Sequence, residues 1–433
     1  MMLPNDHPDR RLLADEVHAR PPEPLNTPAR ATHIALMVSP EQRALELSHL
    51  RGLCARFGVE GPDPDTIYFV TELGDLRLKW ERHGEFSSYT FFGEDLGSAL
   101  FDTAAATLAP PEWLSALPGS TIFAAHAQLM VIGAQDPDSS VLSAAFEGNA
   151  VVGASIADGA GLAFADFKVH ADGFSRILIF NRSMTRQQAG LMVQRLFEIE
   201  TYRMMALLAL PLARKQSASL AAIESALVML TDDIARNSVA DESLLQQLTN
   251  LAADVESRLA ANQFRFGACK AYNDLVMRRI AELREQRIAG MQTIEEFMVR
   301  RFTPAVATCA STAQRLQALS ERVAQTSALL STRVDIARAM QNQKLLESMN
   351  RRARLQLRLQ QTVEIISIIP ITYYLTGLVG YGARALEAAG FPIAPDIAEG
   401  IAIPITAIIV AGVFWRMHHK VVGHTADTDA LEL

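Results

Sequence analysis

The chain is expected to fold as an α+β domain with an antiparallel sheet, followed by a long-helix bundle or coiled coil and a C-terminal two-helix membrane hairpin. Three observations predict this. Short runs of alternating apolar and polar residues, bounded by Gly, Pro and Asp, recur between positions 31 and 181. From position 184 the apolar period changes to that of a helix. Near the end, positions 365–383 and 400–415 carry no charged residue. The expected boundaries are 1–182 for a cytosolic α+β domain and 183–361 for the bundle with a long stalk helix. The two spans follow within 362–415, at about 362–383 and 397–415, and 416–433 forms a cytosolic tail.

In chain order, residues 1–30 are rich in proline and charge and are expected to wrap a surface. ATHIALMV (31–38) reads as a strand. Ser39-Pro40-Glu41 opens a helix, with Ser39 as N-cap and proline in the first turn, and Leu45, Leu50, Leu53 and Phe57 among its apolar residues. DTIYFVTEL, DLRLKWERH and EFSSYTFFG, separated by Gly74 and Gly84, read as a β-meander. A helical turn near PPEWLSAL precedes four further strand-like runs ending near Asn181. Thr185 then caps a helix that lasts to about Pro211. Its apolar run 204–213 is too short to cross a bilayer, which needs about 20 residues, and reads as buried core, Met204 and Met205 included. The stretch 217–300 continues as helices, with Glu282, Arg284, Glu285, Arg287 and Glu295 among leucines at helical spacing.

Beyond Pro304 no proline occurs before Pro370. Leu316, Leu319, Val323, Leu330, Val334, Ala337, Leu345, Leu355, Leu359 and Val363 follow one another largely in steps of three and four. That spacing makes a seam for a partner helix, interrupted by polar Gln341, Ser348 and Arg352. The seam runs into the first apolar stretch, which is long enough to span a hydrocarbon core; the second is slightly short. Arg351, Arg352, Arg354 and Arg358 precede the first span, and Arg416, His418, His419 and Lys420 follow the second. The connection holds only Arg384 as a base, against Glu387, Asp396 and Glu399. The positive-inside rule places both long ends in the cytosol. The same arginines would also attract anionic lipid.

The 433 residues carry a net charge of −8, with 20% charged and 49% hydrophobic residues. That balance suits a water-facing body with a small membrane portion, and the acidic excess argues against nucleic acid as a partner. Cys54, Cys269 and Cys309 are isolated and read as reduced thiols. MMLPNDHPDRRLLADEVHAR lacks the apolar core of a secretory signal.

The candidate chemical groups are His18 with Glu16; Lys79, Glu81, Arg82 and His83; and Asp166, His170 and Asp172. A histidine beside a carboxylate serves either as an acid–base pair or as half a metal site. Glu81 and His83 lie two apart on a strand, as do His170 and Asp172 if that strand persists, and such pairs equally form structural polar clusters. No GxxxxGK[ST], HExxH, GxSxG or strand-borne GxGxxG motif is present, so no cofactor, metal or catalytic residue is assigned. Near the membrane, helical spacing puts Glu364, Ser367, Ile371, Tyr374, Leu378 and Tyr381 on one stripe. Glu364 either rests among headgroups or, if deeper, marks a functional position.

The stretches LPNDHPDRRLLADEVHARPP, LGDLRLKWERHGEFSSYTF, FKVHADGFSRILI, RLFEIETYRMMALLALPLAR, TRVDIARAMQNQKLLESMNRRARLQLRLQQTVE and ITYYLTGLVGY resemble those of a family of uncharacterised bacterial membrane-anchored proteins. The resemblance spans nearly the whole chain and implies a cytosolic body anchored in the inner membrane, with no catalytic residues to carry over. In architecture alone the chain is also similar to CorA-type divalent-cation channels. Where that family has Gly-Met-Asn, this chain has Gly382, Ala383 and Arg384, and an outer ring of arginines would repel cations. The expected function is therefore a non-enzymatic sensing or scaffolding protein. Its expected partners are the lipid bilayer, a second copy of the chain and an unidentified cytosolic protein. A CorA-like channel with a degenerate filter is the alternative, and a membrane-tethered enzyme the third reading.

Overall fold

The computed structural model describes residues 7–10, 13, 21–94, 100–101, 104–133, 135–237, 239–390, 392 and 394–428. The chain divides into two compact units, Met1–Ala328 and Leu329–Leu433.

The first unit is built on a mixed sheet of nine strands among the described residues, in the order β2-β3-β4-β1-β5-β8-β7-β6-β9. The strands are β1 (Ala29–Met37), β2 (Tyr68–Leu73), β3 (Leu76–Arg82), β4 (Phe86–Gly93), β5 (Ser120–Val131), β6 (Val152–Ile156), β7 (Gly161–Ala165), β8 (Ser175–Asn181) and β9 (Gln286–Arg287). The meander β2–β3–β4 forms where the alternating runs predict it. All pairs are antiparallel except one: β5 and β8 run parallel, from Ala125 opposite Ser175 to Val131 opposite Asn181. The connection 132–151 explains the exception. It carries the chain back past helix α3 (Ser139–Ala145) before β6 begins, so β8, third in the β6–β7–β8 meander, arrives in the direction of β5.

Period-two alternation divides the core between the two sheet faces. One face, with Ala31 and Ala35, packs on α4 (Arg186–Leu207) through Val193, Leu196 and Phe197. Thr185 caps this helix: its side chain accepts from the Gln188 backbone N–H at 3.3 Å, and Gln188 Oε1 accepts from Thr185 N at 2.9 Å. Gly190 is required here, because a Cβ would lie 1.7 Å from the Glu23 carbonyl oxygen. The other face, with Ile34, Leu36, Leu78 and Trp80, packs on α1 (Arg43–Arg56) and on Trp113 of the short helix α2 (Pro111–Ser115).

The apolar residues of α1 do not all face the core. Leu45 is 61% exposed and Phe57 is on the surface, while Glu46 is buried along with Leu50 and Leu53. Glu46 Oε1 accepts from Trp80 Nε1 and the Tyr89 hydroxyl, and its Oε2 from Ser87 Oγ, each at 3.1 Å. Three donors on the sheet turn the helix so that a carboxylate, and not Leu45, enters the core.

Helices α5 (Ala209–Arg236) and α6 (Asp241–Leu283) follow, with Pro211 in the first turn of α5, where its missing N–H costs least. The helical pattern of 217–300 is interrupted. Helix α6 stops at Leu283, Arg284 takes a left-handed conformation (φ 49°), and β9 joins the sheet edge beside β6. Arg284, Glu285 and Arg287 are therefore not on a helix. Glu285 accepts from the backbone N–H groups of Ile294 and Glu295 at 3.0 and 2.7 Å, satisfying the start of α7 (Ile294–Arg301).

Helix α8 runs from Thr303 to Ala388 with Pro370 inside it, and α9 runs from Pro395 to Thr428 with Pro404 inside it. Along α8 the seam residues Leu316, Leu319, Val323, Leu330 and Val334 are buried, whereas Leu345, Leu355, Leu359 and Val363 are exposed. In the second unit α8 and α9 meet along a strip of small residues. Thr376, Ala383, Ala402 and Val410 are buried, and the Thr376 and Thr406 hydroxyls lie 3.0 Å apart. Small side chains let two helices approach closely, and the threonines add a hydrogen bond across the contact.

Candidate functional site

Lys79 and Glu81 alternate along β3 and point together toward α4. Lys79 Nζ lies 3.2 Å from Glu81 Oε2 and donates to Gln194 Oε1 at 3.2 Å. Gln194 Nε2 in turn donates to Glu198 Oε1 at 2.7 Å, and Glu198 Oε2 accepts from Arg279 Nε on α6. Arg279 and Arg195 both pair with Glu282, at 2.9 and 3.1 Å. The result is a file of alternating charges that ties sheet, α4 and α6 together. On its flank, Tyr68 donates to Glu23 Oε1 at 3.1 Å; burial and the Glu23 carboxylate hold its hydroxyl proton well above the usual tyrosine range.

His33 lies on the same face, stacked on Phe197 at 4.9 Å and bonded to the Thr90 and Thr201 hydroxyls at 2.8 and 3.3 Å. Burial, helped by Lys79 and His83, pushes its pKa down to about 3, so the ring is neutral. His83 stacks on Phe86 at 4.2 Å. The free space among these groups is about 30 Å³, enough for an ordered water and too little for a metabolite. Chemically, this cluster clamps secondary elements together.

The second cluster does not sit on a strand. Strand β7 ends at Ala165, and Asp166 and His170 belong to the following loop. His170 Nε2 lies 2.9 Å from Asp166 Oδ2, and its Nδ1 lies 3.2 Å from Glu147 Oε2. Asn149 donates to Asp166 at 2.9 Å, Lys168 to Asn149 at 2.7 Å, and Arg176 to Glu147 at 2.9 Å. The His170 hydrogen bond, with Arg176 next, holds the Glu147 carboxyl below its usual range. Asp172 is apart from this network and accepts from the Phe174 backbone N–H at 2.9 Å, closing a turn.

The two clusters do not converge. Strands β4, β1, β5 and β8 lie between β3 and β7, a separation of roughly 24 Å at about 4.8 Å per strand. His18 and Glu16 lie outside the described residues. Among the described residues, no three His, Cys, Asp or Glu side chains group to hold a metal ion. All three cysteines are buried, and burial raises their pKa values, that of Cys269 to about 12.

Buried charges at Arg30, Glu46 and Glu200 are not evident from the motifs. Glu46 was detectable, since Glu46, Leu50, Leu53 and Phe57 follow helical steps of four, three and four, which places a carboxylate in an apolar stripe. Arg30, on β1, carried no such signal, because its burial is decided by the strands beside it.

In the second unit Arg351, Arg352, Arg354 and Arg358 are exposed on α8. Tyr374 and Tyr381 are each 71% exposed. They lie away from the strip that meets α9. Arg384 lies 3.5 Å from Glu399 on α9 and stacks over the Tyr381 ring at 5.5 Å. The Glu364 side chain is outside the described ones. An 18-residue window in the helical run Ile294–Ala388 has a mean hydropathy of 1.5, and one in Pro395–Val413 has 1.8. Two helices are thus long and apolar enough to cross a membrane.

No curated protein matches the chain. A family model does, over residues 5–421. It spans the sheet, both charged clusters and most of the two long helices, in accord with the resemblance drawn from the sequence motifs. The chain belongs to the family described as "Protein of unknown function (DUF3422)".

Proposed function

We propose that this protein is a membrane-anchored, self-associating binding module, with its sheet unit and both termini in the cytosol of a bacterial cell and no enzymatic activity of its own. One observation carries the reading. The seam along α8 continues past Val334 with the same kind of apolar residue, yet Leu345, Leu355, Leu359 and Val363 have no cover in the single chain. Only 12% and 11% of the two apolar windows is buried. A bilayer covers the windows, and a second copy of α8 covers the seam. The internally paired charges and the small space between them support a structural role for the histidine–carboxylate clusters. The absence of Gly-Met-Asn at positions 382–384, where this chain has Gly382, Ala383 and Arg384, favours an anchor over a channel.

Replacing Leu355 and Leu359 with asparagine should lower the particle mass of the detergent-extracted protein in light scattering; a monomeric wild type sinks the self-association. Topology is read with introduced cysteines, because the three native thiols are buried and silent. A cysteine at Ala389 should react with an impermeant maleimide on intact cells, and one at Ser115 only after lysis. Labelling of the Ser115 position from outside would overturn the orientation. In liposomes the protein should show no Mg²⁺ uptake above empty vesicles, and a robust flux would restore the channel reading.

A further inference from the structure

The segment 24–30, the β2–β3 turn and the end of β4 enclose a cleft of about 520 Å³. Small-molecule sites run from roughly 300 to 1,000 Å³. Its lining includes three arginines, Arg30, Arg77 and Arg186, and three acids, Glu72, Asp75 and Glu94. Arg30 is unlike the other two arginines. It is only 7% exposed, and its Nε and Nη1 are buried with no hydrogen-bond partner among the described residues. Arg77 Nε also lacks a hydrogen bond among the described residues, but Arg77 lies 3.7 Å from Glu23, donates through Nη2 to the Pro24 carbonyl at 3.0 Å and stacks over Phe92 at 5.2 Å. Arg186 is exposed.

The neighbours of Arg30 deepen the anomaly. Gln128 is its partner across the β1–β5 ladder, and both of its amide atoms are also buried without a partner among the described residues. Gly93 is its partner on β4, where a Cβ would come within 3.1 Å of Arg30 Nε. The guanidinium thus occupies space that a side chain on β4 would fill. A buried guanidinium with two nitrogens lacking an acceptor among the described residues is costly, and an anionic group entering the cleft would supply one. A guanidinium takes a carboxylate or a phosphate through paired charge-assisted hydrogen bonds. The acids are on the exposed part of the lining, and Glu94 is tied to Asn26 at 3.2 Å. They suit an ammonium group and not a second anion.

We propose that this cleft binds a small zwitterion, with its carboxylate or phosphate on Arg30 and its ammonium among Glu72, Asp75 and Glu94. The assignment rests on the reading of the sheet unit as a binding module, and it uses residues separate from those that carry anchoring and self-association.

The test is calorimetric titration of the full chain in detergent. The probes are O-phosphoethanolamine and γ-aminobutyrate, which carry the two charges on the two kinds of oxyanion, against inorganic phosphate and ethanolamine. At least one zwitterion should bind saturably and at least tenfold more tightly than phosphate or ethanolamine. Arg30→Met should weaken it at least tenfold. Glu94→Gln should erase the preference for the zwitterion over phosphate. Gly93→Ala, which crowds the guanidinium, should weaken binding at least threefold, and it keeps the test open if Arg30→Met does not fold. No saturable binding of either zwitterion, binding unchanged in both the Arg30 and Gly93 variants, or phosphate bound as tightly as the zwitterion overturns the assignment. Absent binding in a wild type that still oligomerises with the stated topology removes the ligand site alone. Binding in a monomeric chain removes the self-association reading alone.

Discussion

The two compact units distribute their residues in opposite ways. In Met1–Ala328 the core is apolar, and the buried charges are mostly matched. Lys79 meets Glu81, Asp166 meets His170, and Glu200 holds Arg203 through two hydrogen bonds of 2.7 and 2.8 Å. In Leu329–Leu433 large apolar side chains crowd the surface from position 365 onward. Ile369 and Ile408 are each 72% exposed and Trp415 is 68% exposed, while the interior contact is made by threonine, glycine and alanine. The first arrangement is that of a fold whose solvent is water, where area removed from it stabilises by about 25 cal/mol per Å². The second inverts it: its two helices meet through small side chains and one polar contact, while large apolar side chains face outward. Helix α8 contributes residues to both units.

The sharpest way to break this contrast is at Glu46. Glu46→Ala leaves the Trp80, Ser87 and Tyr89 donors buried without an acceptor, and should cost about 3–5 kcal/mol. The near-ultraviolet circular dichroism of Trp80 during denaturant unfolding reads it. Leu357→Asn, on the exposed face of the second unit, should move the same transition by less than about 0.5 kcal/mol. Equal effects would mean that the two units are not differently built.

Acid should act next most strongly, and on the first unit. His33 and His126 are buried neutral, with pKa values lowered by desolvation from 6.5 to about 3 and about 4. Below pH 6.5 the unfolded chain binds protons that the folded one refuses. Their contribution is therefore fully present above pH 6.5 and is lost as pH falls toward the folded values. At pH 4.5 the loss should reach about 2–3 kcal/mol per histidine, read as a fall in denaturant midpoint between pH 7.5 and 4.5. His33→Gln should flatten that slope, and a slope unchanged by it would show that His33 is not buried neutral.

The smallest effect is expected in the hairpin. A double-mutant cycle on Thr376→Val and Thr406→Val, followed by detergent-induced unfolding, should give a coupling of about 0.6 kcal/mol, the average for side-chain hydrogen bonds between membrane helices. A coupling of zero would mean that the two helices do not meet along this strip.

The sequence carried, in local patterns, the strands between 31 and 181, the cap at Thr185, the long helices and the two apolar stretches; Ser39 opens a 3-10 turn, and α1 itself starts after Gln42. Each of these depends on neighbours a few residues apart, where periodicity and capping chemistry act. It left open which Arg, Glu or His lies inside. Leu45 and Glu46 are adjacent on one helix, and only the Trp80, Ser87 and Tyr89 donors on the facing strands decide which of them turns inward. Likewise, the parallel pairing of β5 with β8 follows from a connection that crosses the sheet, and the departure of β9 from a helical run follows from an open edge at β6. Arg30 is the extreme case: a charged residue in a strand carries no mark of burial, and its guanidinium is buried because Gly93 and Gln128 come beside it from strands distant in sequence. Local interactions encode which elements form, whereas the fate of a buried charge is a sum over long-range neighbours, and that sum exists only once the chain has folded.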